Sequence, residues 1–173
     1  MENSTLFDDT GLFARLGELG IEHETVEHPP LYTVEQSREL RGDLPGAHIK
    51  NLFLRDKKRR MWLVTVLEDR DIDLKALRGW IGAQGTLSFG SADLLMETLG
   101  VIPGAVTPFA VINDKEGKVT MVLDKALLEI DPVNAHPLRN DRTSAVAPAD
   151  LVRFLEAEKH APVILDLDAP REE

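Results

Sequence analysis

In residues 10–19, TGLFARLGEL, apolar side chains recur at helical spacing at Leu12, Phe13, Leu16 and Leu19. Asp9 or Thr10 can cap the start of such a helix and Gly20 can stop it. The next stretch, IEHETVEH, alternates as a strand until Pro29-Pro30 breaks it, and Thr33 with Gln36 forms a capping box for a short helix ending near Gly42. Residues 48–56 and 61–68 are β-rich and are joined by a polar turn, which predicts a hairpin. Two helices follow, over 73–81 and from Ser91 as N-cap through Leu94, Leu95 and Leu99 to Gly100 as the stop.

Beyond the loop VIPGAVTP, residues 109–112, the turn NDKEG and residues 118–123 predict a second hairpin, and a strand is expected near 127–130. Pro132 and Pro137 hold an irregular segment, TSAVA reads as a last short strand, and Pro148 opens a terminal helix with Leu151, Phe154 and Leu155 facing inward. The acidic tail after Leu165 is expected to fray. Hairpins interrupted by helices predict an α+β fold, a curved, largely antiparallel or mixed sheet flanked by helices, rather than a doubly wound parallel one. With no repeat or linker, residues 1–173 read as one domain.

Composition narrows the chemistry. Hydrophobic residues make up 43% and charged residues 29% of the chain, as in a folded globular protein. No segment approaches the ~20 apolar residues of a membrane span, and the acidic N-terminus lacks the pattern of a secretory signal, so a cytoplasmic location is expected. The absence of cysteine excludes disulfides, thiolate metal sites and cysteine nucleophiles. The five histidines form no helical pair around a glutamate, and no G-x-S-x-G stretch occurs, so neither a metal site nor a serine elbow is expected. A net charge of −10 has the wrong sign for a protein that coats nucleic acid through a broad field; a bound polyanion must meet a local basic patch.

That patch is RDKKRR, Arg55 to Arg60, which reads either as the solvated tip of a hairpin or as a landing place for a phosphate backbone. Lys50 stands apart from it, at the start of an apolar strand, where an ammonium either is held at a pocket mouth or snorkels to the surface. The loop LGVIPGAVTPF is either a tight turn or a place where Gly104 lets backbone N–H groups approach a ligand.

Taken together and in order, HIKNLFLRDKK, LGVIPGAVTPFAVIND and NAHPLRNDRT resemble the free-standing prolyl-tRNA editing proteins, the ProX or PrdX group of the YbaK-like superfamily. The resemblance covers about residues 10–160. It implies a trans-editing deacylase that hydrolyses the ester of mischarged proline tRNA, with alanine as the amino acid removed. The alternatives are a deacylase for cysteine or serine, and a non-catalytic module of the same fold that binds tRNA or a synthetase.

The resemblance puts the family's lysine on Lys50, followed by Asn51, and its glycine-proline loop on residues 100–108. Gly100, Ile102, Pro103, Gly104, Val106, Pro108 and Phe109 would then wall the amino acid, with loop N–H groups offered to the carbonyl. The His-Pro element falls on His136-Pro137, with Asn140 and Thr143 downstream, and His136 and Asn51 would contact the terminal adenosine. Lys50 would act through charge, and Lys57, Lys58, Arg59 and Arg60 would guide the tRNA backbone. The implied partner is the acceptor end of tRNA, delivered by prolyl-tRNA synthetase or an elongation factor; no cofactor, metal, membrane or DNA is expected. Ala110 and Ala135 depart from the pattern and are expected to alter the pocket wall.

Overall fold

In the computed structural model, residues 6–30 and 44–168 are described. The helix expected at 33–42 lies outside them. Helix α1 (Asp9–Glu18) begins where the Asp8 carboxylate accepts from the Gly11 N–H, and it buries Leu12 and Leu16. Strand β1 (Glu24–Glu27) follows, then the expected hairpin of β2 (Ala47–Arg55) and β3 (Met61–Leu67). Helices α2 (Leu74–Ile81) and α3 (Ala92–Leu99) are capped by Asp73 and Ser91 and end on Gly82 and Gly100 in the left-handed region, where glycine carries no Cβ penalty. A short β4 (Ser88–Phe89) lies between them. Strands β5 (Val119–Asp124), β6 (Val133–Ala135) and β7 (Arg142–Val146) precede α4 (Pro148–Ala157) and β8 (Val163–Leu165).

The described strands form one mixed sheet in the order β1-β7-β6-β2-β3-β5-β8, with β4 on the edge of β2. β6 on β2, β3 on β5 and β5 on β8 are parallel, so parallel pairing is more extensive than a run of hairpins predicts. The alternation of β2, β3 and β5 divides the apolar side chains between two faces. Phe53, Leu63, Met121 and Leu123 face the main core with α1, α3 and α4, whereas Leu54, Trp62, Val64 and Val122 face a smaller core closed by Leu77 of α2. No described helix is long and apolar enough to cross a membrane.

Three expectations fail. Residues 109–112 are not a strand: Pro108–Asn113 is a 3-10 turn, opened by Thr107 with Pro108 at its first position, and Phe109 to Ile112 are all buried. A short, wholly apolar run has no period from which helix and strand can be told apart. β5 therefore lies alongside β3 instead of closing a second hairpin. Residues 127–130 fall mostly in another 3-10 turn, Lys125–Glu129, capped by Asp124, and the strand comes later, at β6. The chain after Leu165 is also held as far as Asp168, whose carboxylate takes the Arg70 guanidinium at 2.8 and 3.0 Å.

Two buried contacts fix the main core. Phe109 packs edge-on against Phe154 of α4, with ring centroids 5.3 Å apart, and neither ring is exposed. His160, just past α4, donates from Nδ1 to the Glu158 carbonyl and from Nε2 to the Asp114 carboxylate at 2.9 Å. Both ring nitrogens meet acceptors, so the ring is an imidazolium. Burial works to lower its pKa, but the Asp114 hydrogen bond, the Glu158 carbonyl and the Asp114 charge together raise it. Burial works to raise the Asp114 carboxyl, which the same bond and the Val119 and Lys118 N–H groups nevertheless hold below the usual carboxylate range.

Phe109→Ala is expected to destabilise the fold by about 3–5 kcal/mol, the cost of a large cavity in a filled core, read by chemical denaturation. His160→Gln should show a pH-dependent loss. The raised His160 value contributes stability fully present below its ordinary 6.5 and lost as pH rises through the folded value. The lowered Asp114 value contributes stability present above its ordinary 3.8 and lost as pH falls through the folded value. The melting-temperature gap between wild type and variant should therefore be widest in the mildly acidic range and close as the medium turns alkaline; a gap independent of pH would contradict the ion pair.

Candidate functional site

The site grows from a discontinuity in the sheet. On the side of β2 away from β3, β6 pairs only with Ala47 and His48, and β4 pairs only with Leu54 and Arg55. Between them, residues 49–53 have no strand partner among the described residues. Ala47 donates outward to Pro132 and Phe53 accepts outward from Gly90. By the two-residue alternation of the ladder, the backbone groups of Ile49 and Asn51 also face this gap.

Lys50 and Asn51 leave β2 on opposite faces. The Asn51 amide bridges toward the main core: Nδ2 donates to the Val106 carbonyl at 3.0 Å and Oδ1 accepts from the Thr65 hydroxyl at 2.6 Å. Lys50 points to the α2 face, where its half-buried ammonium donates to the Arg70 carbonyl and makes no ion pair with a described residue. Arg70 is itself clamped by the Asp124 carboxylate at 2.5 Å and by Asp168 at 2.8 Å. Hydrogen bonds to Asp168 and Asp124 raise its pKa further, so the guanidinium is a fixed strut for the carbonyl that receives Lys50.

β6 runs parallel to β2 only where Val133 lies beside Ala47 and Asn134 beside His48, and His136 follows directly on the end of that strand. Its Nδ1 donates to the Arg142 carbonyl at 2.9 Å. Burial lowers its pKa, against the pull of that hydrogen bond, so the ring is neutral and Nε2 offers a lone pair. His28 stands 6.2 Å away, ring to ring, with Nε2 at 2.8 Å from the Thr143 hydroxyl. Its place beside His136 has no signal in the sequence, since 115 residues separate His28 from Thr143. Asn140, downstream of His136, is buried with its Nδ2 unpartnered.

The loop over residues 100–108 meets β2 from the main-core face, where Asn51 holds the Val106 carbonyl, and its residues differ in exposure. Ile102 is 47% exposed, Pro103 is exposed, and Gly104 and Val106 are half-buried, so these remain available to a ligand. Gly100 is not: its N–H closes α3 on the Leu95 and Met96 carbonyls, and a Cβ there would meet Asn113 at 2.8 Å. Pro103 and Pro108 have no N–H to give. Phe109 belongs to the core and not to a ligand-facing wall, because Pro108 starts the buried 3-10 turn. Ala110 and Ala135 are likewise buried in the core, so their small size acts through packing.

The basic cluster also divides. Asp56 is buried at the hairpin turn and accepts from the Arg60 N–H and Nε, the Lys58 N–H and the Gln84 N–H. Arg60 further donates to the Gly82 carbonyl at 2.8 Å and lies over the Trp62 ring, so it braces the turn instead of facing a phosphate. Lys57, Lys58 and Arg59 stay exposed without a carboxylate partner among the described residues. Those residues hold no group of three or more His, Asp or Glu side chains that could bind a metal ion.

Comparison with known proteins identifies the family. The family model for the aminoacyl-tRNA editing domain matches residues 28–154, which contain Lys50, the 100–108 loop and His136. The mouse prolyl-tRNA synthetase associated domain-containing protein 1 is 43% identical over 158 residues, covering 89% of this chain and 93% of its own. The prolyl-tRNA editing protein ProX of Acetoanaerobium sticklandii is 40% identical over 84% of this chain and 89% of its own. A solved structure described as a candidate trans-editing enzyme for prolyl-tRNA synthetase superposes with a TM-score of 0.71 over 96% of this chain and all of its own, and at 20% identity it speaks to the fold alone. On the family match and these relatives, the chain belongs to the aminoacyl-tRNA editing domain family.

Proposed function

We propose that this protein is a trans-acting deacylase that hydrolyses the ester between alanine and proline tRNA. The observation that carries the reading is the Lys50 ammonium, tethered to the Arg70 carbonyl beside a strand edge that has no partner among the described residues, with neutral His136 just past the β6 strand that pairs the start of β2. An ammonium has three donors, so two remain for an anionic group.

An aminoacyl ester needs no protein nucleophile. Water adds to the carbonyl carbon, the bond from that carbon to the ribose oxygen breaks, and the ribose oxygen leaves with a proton. The protein's share is to hold the ester and stabilise the oxyanion. Backbone N–H groups facing the gap and the charge of Lys50 suit that task, because donors fixed before the reaction need no reorganisation. The lone pair of His136 Nε2 suits a contact to the terminal adenosine, whereas the Asn51 amide is committed to Val106 and Thr65 and serves to position the loop.

Selectivity in this reading comes from the loop. Asn51 pins the Val106 carbonyl, and Val106 packs against the core, so the loop cannot recede to admit a larger ring. A synthetase site built for proline rejects the smaller alanine weakly, since each missing methylene is worth only about 1–3 kcal/mol. A second, smaller site rejects proline by steric overlap, which is a stronger filter.

Lys50→Ala is expected to lower kcat/KM for alanyl-tRNA carrying the proline tRNA body by on the order of 10²–10³-fold with the melting temperature unchanged. Lys50→Arg should retain more activity than the alanine variant, and full activity in Lys50→Ala would remove the site. Proline tRNA charged in turn with alanine, cysteine, serine and proline gives the specificity: alanine should leave fastest and proline should be spared. Val106→Ala should narrow the alanine-to-proline ratio, and a wild-type protein that cleaves both esters equally would end the size-exclusion reading.

A further inference from the structure

We propose that the groove between the β2–β3 turn and residues 84–88 is a seat for a tRNA backbone phosphate, formed by Arg55, Lys57, Arg59, Thr86 and Ser88. The groove has a volume of about 360 Å³, and Asp56 is its only acidic lining residue. That carboxylate is consumed by the N–H groups of the turn, by Gln84 and by Arg60, so it does not compete for the cations above it. The side chains of Arg55, Lys57 and Arg59 are exposed and have no carboxylate within ion-pair distance among the described residues. By contrast, Arg15, Arg70, Arg139, Arg142 and Arg153 each hold one.

The groove is built and not merely a loose tip. Lys57 donates its N–H to the Gln84 carbonyl at 2.9 Å. Gly85, at φ +75°, brings the second segment so close that a Cβ there would lie 2.7 Å from the Lys57 Cβ. β4 pairs Ser88 directly with Arg55, placing a hydroxyl beside the guanidinium on one face. Arg59 occupies the left-handed region at φ 66°, where glycine or asparagine is cheaper, so the turn tolerates strain to carry a guanidinium there. A guanidinium, an ammonium and hydroxyl donors around a concave surface match the oxygens of a phosphodiester. Five strand residues separate Arg55 from Lys50, about 17 Å at ~3.3 Å per residue, which sets the phosphate several nucleotides from the esterified end.

The inference rests on the reading of the chain as a tRNA-editing protein, and its test is separate from hydrolysis. Binding of uncharged proline tRNA is measured by fluorescence anisotropy over a range of salt for wild type, for Arg55→Ala/Lys57→Ala/Arg59→Ala and for the charge-keeping Lys57→Arg/Arg59→Lys. The triple variant should melt at the wild-type temperature, bind more weakly, and lose about one unit from the slope of log K against log salt, while the charge-keeping variant retains the slope. Inorganic phosphate at constant ionic strength should displace tRNA from wild type more readily than from the triple variant. An unchanged slope in the triple variant, or equal displacement from both proteins, overturns the groove even if deacylation proceeds. Failure of deacylation with the slope loss intact overturns the editing reading and leaves the groove standing.

Discussion

Everything distinctive in this fold depends on one strand pairing that stops. β2 is joined to β3 over residues 49–55 by an unbroken antiparallel register, yet on its other side the described strands β6 and β4 cover only its two ends. Unpaired backbone groups in a sheet interior are costly unless something meets them. Here the groups that a continuous sheet would consume are left without a strand partner among the described residues, with Lys50 on one face of β2 and the pinned Val106 carbonyl on the other. The paired ends are equally necessary: β6 covers Ala47 and His48 just before His136, and β4 sets Ser88 beside Arg55. Continuous pairing would give a more regular sheet with no place for an ester.

A second constraint governs where charge is free to act. Arg70 is held by two carboxylates and contributes to the site only through its carbonyl oxygen, on which the Lys50 ammonium rests. Arg60 is likewise engaged by Asp56 and the Trp62 face. Such pairing fixes geometry but leaves little field for a ligand, because each guanidinium is matched by an adjacent anion. Lys50 is the opposite case, an ammonium whose described partner is a neutral carbonyl. No described carboxylate lies within ion-pair distance of it, and a cation not matched by an adjacent anion is the kind that can stabilise one in a partly dehydrated site.

The sequence discloses such features unevenly, for identifiable reasons. The β2–β3 hairpin, the cap at Ser91 and the glycine stop at Gly100 are local signals, and they stand where patterning puts them. Residues 108–113 escape that logic because a wholly buried run carries no period, and Thr107 with Pro108 turns it into a 3-10 segment. The segment with Lys50, the glycine-proline loop and His136 are legible as motifs. Their relation is not, since the alternation of β2 sends Lys50 and Asn51 to opposite faces and the parallel pairing of β6 with β2 joins segments far apart in sequence. His28 beside His136, and Asp124 behind Arg70, are products of tertiary contact and have no local signature.

Distance along the same strand separates recognition from chemistry. A hydrogen-bonded ladder is stiff, so the interval between Lys50 and Arg55, about 17 Å, is set by the backbone and not by side-chain reach. The screening length at physiological ionic strength is about 8 Å, so exposed charges at the turn barely perturb the potential at Lys50. A net charge of −10 repels a polyanion from most of the surface, and the unpaired cations of the turn define the approach that remains. On the proposed function, one strand would align a tRNA end and present its ester as electrostatically independent tasks. The acidity of the rest of the molecule sharpens the orientation instead of opposing it.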